Sequence, residues 1–145
     1  MRIGIGNDHG GINHKMAIVE HLKEKGYEVI DYGVAEGEAV DYPDMAKKVC
    51  EGYLVGDFDL GILVCGTGIG MSMAANKING IRAAHVTDCF SAKMAREHND
   101  AQILCVGERI TGPGLVLEIV DAYLSAEHLG GRHARRVEKI MSIEK

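Results

Sequence analysis

Residues 60–70 read Leu-Gly-Ile-Leu-Val-Cys-Gly-Thr-Gly-Ile-Gly, and no other stretch limits the fold of this chain as sharply. The apolar, partly β-branched run has the make-up of a buried strand. It stops at Cys65, three alternating glycines follow, and residues 71–77 have helix-forming composition. Strand, glycine turn and helix in that order aim backbone N–H groups and a helix N-terminus at an anion. Ligands of open α/β sheets bind at the carboxyl ends of strands, which is where this layout places Cys65. The surrounding N–H groups favour the thiolate, its reactive form. Cys65 is therefore a candidate base or nucleophile beside an oxyanion cradle, the competing reading being a small buried core residue.

The rest of the chain repeats the pattern. Residues 2–6, 27–32, 81–86 and 102–106 read as further strands. Ile12, Met16, Val19 and Leu22 recur at helical spacing and stop at Gly26. Asp41-Tyr42-Pro43-Asp44 opens a second helix, with Met45 and Val49 on its apolar face, and residues 91–97 form the core of another. Thr111-Gly112-Pro113 starts a helix continued by residues 115–126, with proline in the first turn where its missing N–H costs nothing. Beyond Gly130-Gly131, residues 132–143 form a last helix carrying Val137, Ile140 and Met141 on one stripe.

Strands alternating with helices demand a parallel sheet with right-handed crossovers. The expectation is an α/β, Rossmann-like three-layer sandwich within one domain over residues 1–145. It has a five-stranded parallel sheet, helices on both faces and an extra C-terminal helix. That extra helix lies past the final strand, so its stripe needs either this sheet or a second subunit to cover it.

A net charge of −5 argues against non-specific nucleic-acid binding. No apolar run approaches the length of a membrane span, and since Met1-Arg2 leads straight into the first strand, no signal peptide is expected. The four cysteines, Cys50, Cys65, Cys89 and Cys105, form no C-x-x-C pair. Reduced thiols and a cytoplasmic location are expected. His14, His21, His85, His128 and His133 show no metal-ligand spacing, so no metal is expected.

Residues 4–9, Gly-Ile-Gly-Asn-Asp-His, nearly match the dinucleotide fingerprint, but His9 stands at the third glycine position and no acidic residue is placed to read a ribose. Asp8 and His9 instead share the carboxyl-end rim with Cys65, unless Asp8 merely caps the following helix. Six positions after Cys65 stands Met71 rather than a phosphatase arginine, and no Walker lysine follows the glycines. The turn can thus hold an anion but lacks equipment for phosphoryl transfer. His98, at the end of the fourth helix, suits general acid work, or is simply an exposed helix end. Arg132 and Arg136 are four apart and share a helix face, and Arg109 follows the fifth strand. Paired guanidinium groups suit a phosphate dianion, although a charge run is more often a solvated face. Together these residues point to proton transfer on a small phosphorylated metabolite.

Several blocks resemble the ribose-5-phosphate isomerase B family, which includes galactose-6-phosphate isomerase subunits. They are Asn7-Asp8-His9, Asp41-Tyr42-Pro43, residues 65–70, Ala74-Ala75-Asn76-Lys77, Gly80-Ile81-Arg82-Ala83, Glu97-His98-Asn99-Asp100 and Gly130-Gly131-Arg132-His133. The resemblance implies metal-independent, cofactor-free aldose–ketose isomerisation of ribose 5-phosphate and ribulose 5-phosphate through an enediolate. It implies Cys65 as the base between C1 and C2, His98 as the acid opening the furanose ring, Asp8 assisting at ring hydroxyls, and Thr67 moving protons between O1 and O2. The N–H groups of Gly66, Thr67, Gly68, Ile69 and Gly70 would hold the enediolate. His9, Arg109, Arg132 and Arg136 would hold the phosphate, with Asn99 at the sugar hydroxyls and Tyr42 lining the site. It also implies a homo-oligomer, a dimer or dimer of dimers, with each site built from two subunits. Allose 6-phosphate is a second substrate to expect, and the loop 34–40, outside the matched blocks, is placed to tune sugar length. A galactose-6-phosphate isomerase subunit and a non-catalytic sugar-phosphate sensor on the same fold are the alternatives.

Overall fold

The computed structural model describes residues 1–144. Five strands, β1 (Arg2–Asn7), β2 (Glu28–Asp31), β3 (Leu60–Cys65), β4 (Ala83–His85) and β5 (Ile103–Gly107), form one sheet in the order β2-β1-β3-β5-β4. Every pairing is parallel. A helix follows each strand, α1 (Ile12–Glu24), α2 (Tyr42–Leu54), α3 (Ile69–Ala75), α4 (Cys89–Glu97) and α5 (Pro113–Leu124), and α6 (Arg132–Met141) comes directly after α5. This is the expected Rossmann-like arrangement. Among the described residues no helix is long and apolar enough to cross a membrane.

Strand alternation divides the core in two. Ile3 and Ile5 of β1, Leu60, Ile62 and Val64 of β3, and Leu104 and Val106 of β5 pack with Ile18, Leu22, Val116, Ile119 and Val120 under α1 and α5. The opposite face, Leu63 and Cys65 of β3 with Ile103 and Cys105 of β5, packs against Met45, Val49, Met71 and Ala75 of α2 and α3. Glycine lets α2 approach that face closely, because a side chain on Gly6 would stand 2.6 Å from Val49.

The differences from the sequence reading are physical. The strands expected at 27–32 and 81–86 shorten to four and three residues. Both lie at sheet edges and have a ladder partner on one side only. In the sheet's interior β1 gains Asn7, opposite Val64, while Cys65 pairs with Gly107 at the end of the ladder, so β5 runs one residue later than expected, over Ile103–Gly107. In α1, Met16 is 60% exposed, and the buried positions are His14, Lys15, Ile18 and Leu22. Burying the two polar residues is possible because His14 Nε2 meets the Thr111 carbonyl at 2.6 Å and Lys15 Nζ meets Asp31 at 2.8 Å. Helix α3 starts at Ile69 and stops at Ala75, two residues before the expected end, where the Asn76 side chain exchanges two hydrogen bonds with the backbone of Ala83. Helix α5 ends at Leu124 rather than at 126, and α6 ends at Met141 rather than at 143. On α6 only Val137 of the apolar stripe is buried, while Ile140 stays 45% exposed.

Candidate active site

The strand order reverses between β1 and β3, since the chain leaves β1 for β2 on one side and returns to β3 on the other. That switch point opens a crevice at the carboxyl ends of the two strands. Asp8 follows β1 into it, and Cys65 closes β3 beside it.

The crevice is built outward from buried anchors. The Asn7 amide donates to the carbonyls of Asp8 and Val34 and accepts the Val34 N–H, which fixes the loop carrying Asp8. Asp8 is buried, and its Oδ1 accepts the Gly10 N–H at 2.8 Å. Across the crevice the Gly68 N–H donates to Cys65 Sγ at 3.1 Å. Gly68 takes φ +82°, a left-handed conformation that turns the chain from β3 into α3. The Thr67 hydroxyl accepts the Ile69 N–H at 3.2 Å. Gly70 leaves room for the Tyr42 ring, which a side chain at position 70 would strike. The Arg109 N–H donates to the Gly66 carbonyl at 2.9 Å, holding the arginine over the turn, and Glu108 ties the same loop to α1 by accepting the His14 N–H.

These groups line a cleft of about 420 Å³ formed by Asp8, Tyr42, Cys65, Gly66, Thr67, Ile69, Gly70, Met73 and Arg109. Its chemistry is a sulfur with an N–H aimed at it, a buried carboxyl, a hydroxyl and an exposed guanidinium. Burial pushes the Cys50 thiol up to about 12 and raises that of Cys105 as well, so both stay protonated. Among the buried cysteines, Cys65 is the one that opens on the cleft. His9 is exposed and lies next door, in a cleft of about 400 Å³ with Ala39, Val40, Asp41, Asp44 and Met45.

The remaining candidates lie elsewhere. His98 caps the C-terminal end of α4 and Asn99 follows it, before β5 begins. They stand at the amino ends of the strands, where Arg82 donates to the carbonyls of Asn99 and Asp100. Cys65 stands at the carboxyl ends, a full strand away, or roughly 16 Å at about 3.3 Å per residue. Arg132 and Arg136 belong to this second group, because α6 docks against the end of α4 by stacking His133 on His98. One chain thus holds two separate groups: a cysteine in a glycine turn beside Asp8 and Arg109, and a histidine with two arginines. The alternation of strands and helices already implies this separation, since a helix leading into a parallel strand ends at the strand's amino end. Of the cleft's lining residues, Met73 is the one to which the sequence reading gave no site role; His133, named there only for metal-ligand spacing and in a family block, stacks on His98 outside the cleft.

The chain matches the family model described as Ribose/Galactose Isomerase over residues 3–140. It is 48% identical to ribose-5-phosphate isomerase B of Escherichia coli, over 99% of this chain and 96% of that protein. The solved structure of Clostridium thermocellum ribose-5-phosphate isomerase B superposes with a TM-score of 0.96 at 57% identity, covering 99% of this chain and 97% of the other. The Mycoplasma genitalium ribose-5-phosphate isomerase B structure with bound ribulose-5-phosphate gives 0.90 at 43% identity, covering 98% and 95%.

Proposed function

The chain belongs to the ribose/galactose isomerase family, and from that premise we propose that it interconverts ribose 5-phosphate and ribulose 5-phosphate in a cofactor-free, metal-independent reaction. Residues 1–145 act as a single isomerase domain, and two copies pair so that each cleft receives the partner's His98. We place the enzyme in the cytoplasm, where the Cys65 thiol stays reduced.

The reaction is redox-neutral over the whole molecule. The partner's His98 donates a proton to the furanose ring oxygen as its bond to C1 breaks, and Asp8 assists removal of the proton from the C1 hydroxyl, leaving the open aldehyde. The Cys65 thiolate then takes the C2 proton. The electron pair moves into a C1–C2 double bond and the charge onto O1, where the N–H groups of Gly66 to Gly70 stabilise it. Thr67 carries a proton from O2 to O1. Cys65 returns its proton to C1, and the ketone forms at C2. Arg109, His9 and the partner's Arg132 and Arg136 hold the phosphate, so that binding far from the reacting carbons orients C2 over the sulfur. Asn99 of the partner subunit meets the sugar hydroxyls, and Tyr42 walls the cleft. Allose 6-phosphate is a second substrate on this reading, which is supported by the neighbouring cleft that His9 shares with Val40 and Asp41.

The observation that carries the reading is the Gly68 N–H on Cys65 Sγ at 3.1 Å, in a cleft also lined by Asp8 and Arg109. Conversion of ribose 5-phosphate by EDTA-treated protein, beside the Cys65→Ala variant, tests it. Turnover by the wild type and none by the variant is expected, with phosphate-ligand binding retained. Equal turnover by both would remove Cys65 as the base. No turnover by either would remove the pentose assignment in favour of allose or galactose 6-phosphate, and binding without any turnover would favour a sensor.

A further inference from the structure

His133 has no part in the chemistry set out above, yet it is the residue most intimately placed against the candidate acid. Its ring is buried and lies flat on the His98 ring, centroid to centroid 4.1 Å with 6° between planes. The stack is imposed by its surroundings. The Leu129 N–H donates to the Glu97 carbonyl at 3.0 Å, and His128 Nδ1 meets the same oxygen at 3.0 Å. This wraps the loop before α6 around the end of α4. At the far end of α6, Arg82 Nη1 donates to Met141 Sδ at 3.2 Å. His98 is in turn fixed by its own N–H donating to the Met94 carbonyl at 2.8 Å.

We propose that His133 is a positioning residue for ring opening: its ring clamps the plane of His98, so that the acidic edge of His98 meets the ring oxygen of a furanose in the partner's cleft. This rests on the assignment of His98 as the ring-opening acid. A flat neighbour at stacking distance blocks rotation of the His98 ring out of plane and leaves its nitrogen edges free. Burial, followed by the charges of His98, Arg132, Arg136 and His128, holds His133 below the usual histidine range. His133 therefore stays the neutral ring of the stack, and its face lies flat against His98.

Ribulose 5-phosphate separates positioning from general structural damage. Its carbonyl is at C2 and its O5 is phosphorylated, so it cannot close a five-membered ring. Exchange of its C1 hydrogen with solvent needs only proton transfer at Cys65, whereas conversion of ribose 5-phosphate, which enters as the furanose, also needs ring opening. For His133→Ala, interconversion should fall about 10- to 100-fold, the cost of a misplaced catalytic group. Deuterium uptake at C1 of ribulose 5-phosphate in D₂O, followed by NMR, should stay within about twofold of wild type. His133→Phe keeps a flat ring that cannot titrate and should restore interconversion. Parallel loss of both rates in His133→Ala, no loss of either, or failure of His133→Phe to recover interconversion would each overturn the proposal. His98→Asn run alongside separates the two readings. If His98→Asn loses both rates together, the assignment of His98 itself fails. If His98→Asn loses only interconversion while His133→Ala does not, the role of His133 alone fails.

Discussion

Gly68→Ala tests whether the turn between β3 and α3 is set by geometry that only glycine tolerates. At φ +82° an L-residue pays about 1–2 kcal/mol for the left-handed conformation. The new methyl carbon would also stand 2.7 Å from His85 Cδ2 and 2.9 Å from the Val106 carbonyl carbon. The His85 ring can move aside, but Val106 lies in a buried central strand, so the turn itself must shift. Overpacking of this kind costs roughly 1–3 kcal/mol, giving about 2–5 kcal/mol in all. A domain with about 5–15 kcal/mol of stability survives that loss, but the Gly68 N–H leaves Cys65 Sγ. That N–H favours the Cys65 thiolate, and it is also among the donors assigned to the enediolate oxygen, so displacing it lowers kcat about 100-fold or more. Urea unfolding gives the first quantity and initial rates on ribose 5-phosphate give the second. Gly114→Ala is the matched control, because Gly114 lies in the first turn of α5 with no atom within 4 Å of the added carbon. It should stay within about 1 kcal/mol of wild type with unchanged kcat. Gly68→Ala behaving like Gly114→Ala would refute the geometric reasoning.

Thiol reactivity should sort the cysteines by environment: iodoacetamide at pH 8 should modify half-buried Cys89 and cleft-lining Cys65, and only labelling of the latter should track loss of turnover. Cys50 and Cys105, held protonated by burial, should be spared until the protein unfolds, as read by peptide mass spectrometry. Asp88 accepts the Ser91 N–H at 2.6 Å as the N-cap of α4, and that bond, made by the ionised carboxylate, lowers its pKa. Its contribution to stability is present above the unfolded value of 3.8 and is lost as pH falls through the lower folded value. Urea midpoints of Asp88→Ala should therefore lie below wild type at pH 7 and converge with it in acid.

Much of this fold was readable because its signals are local. The run from Leu60 to Cys65 is buried at every position, and Gly66 and Gly68 after it lie in neither strand nor helix, while Gly70 already belongs to the first turn of α3. Helix α1 shows where pattern reading stops. Its buried face includes His14 and Lys15, whose partners, Thr111 and Asp31, come from distant parts of the chain and cannot be inferred from hydrophobic periodicity. Edge strands β2 and β4 were overextended for the related reason that sequence does not say which strands lack a second neighbour. The chemistry-bearing residues Asp8, Cys65, Thr67 and Arg109 were identified singly and converge in one cleft. His98, Asn99, Arg132 and Arg136 do not join them within one chain. Their residue types signalled acid and phosphate chemistry, but their place at the opposite end of the sheet follows from chain direction, not from residue type.

Pairing of two half-sites is the least local claim made for this protein, and co-expression of two inactive variants addresses it directly. In a dimer of one Cys65→Ala protomer and one His98→Asn protomer, one site loses both groups and the other keeps both. Random assortment makes about half of the dimers mixed, each with one intact site of two, so activity should return to about a quarter of wild type. Activity no higher than the sum of the two variants made separately would contradict a site shared between subunits and require Cys65 and His98 to act within one chain.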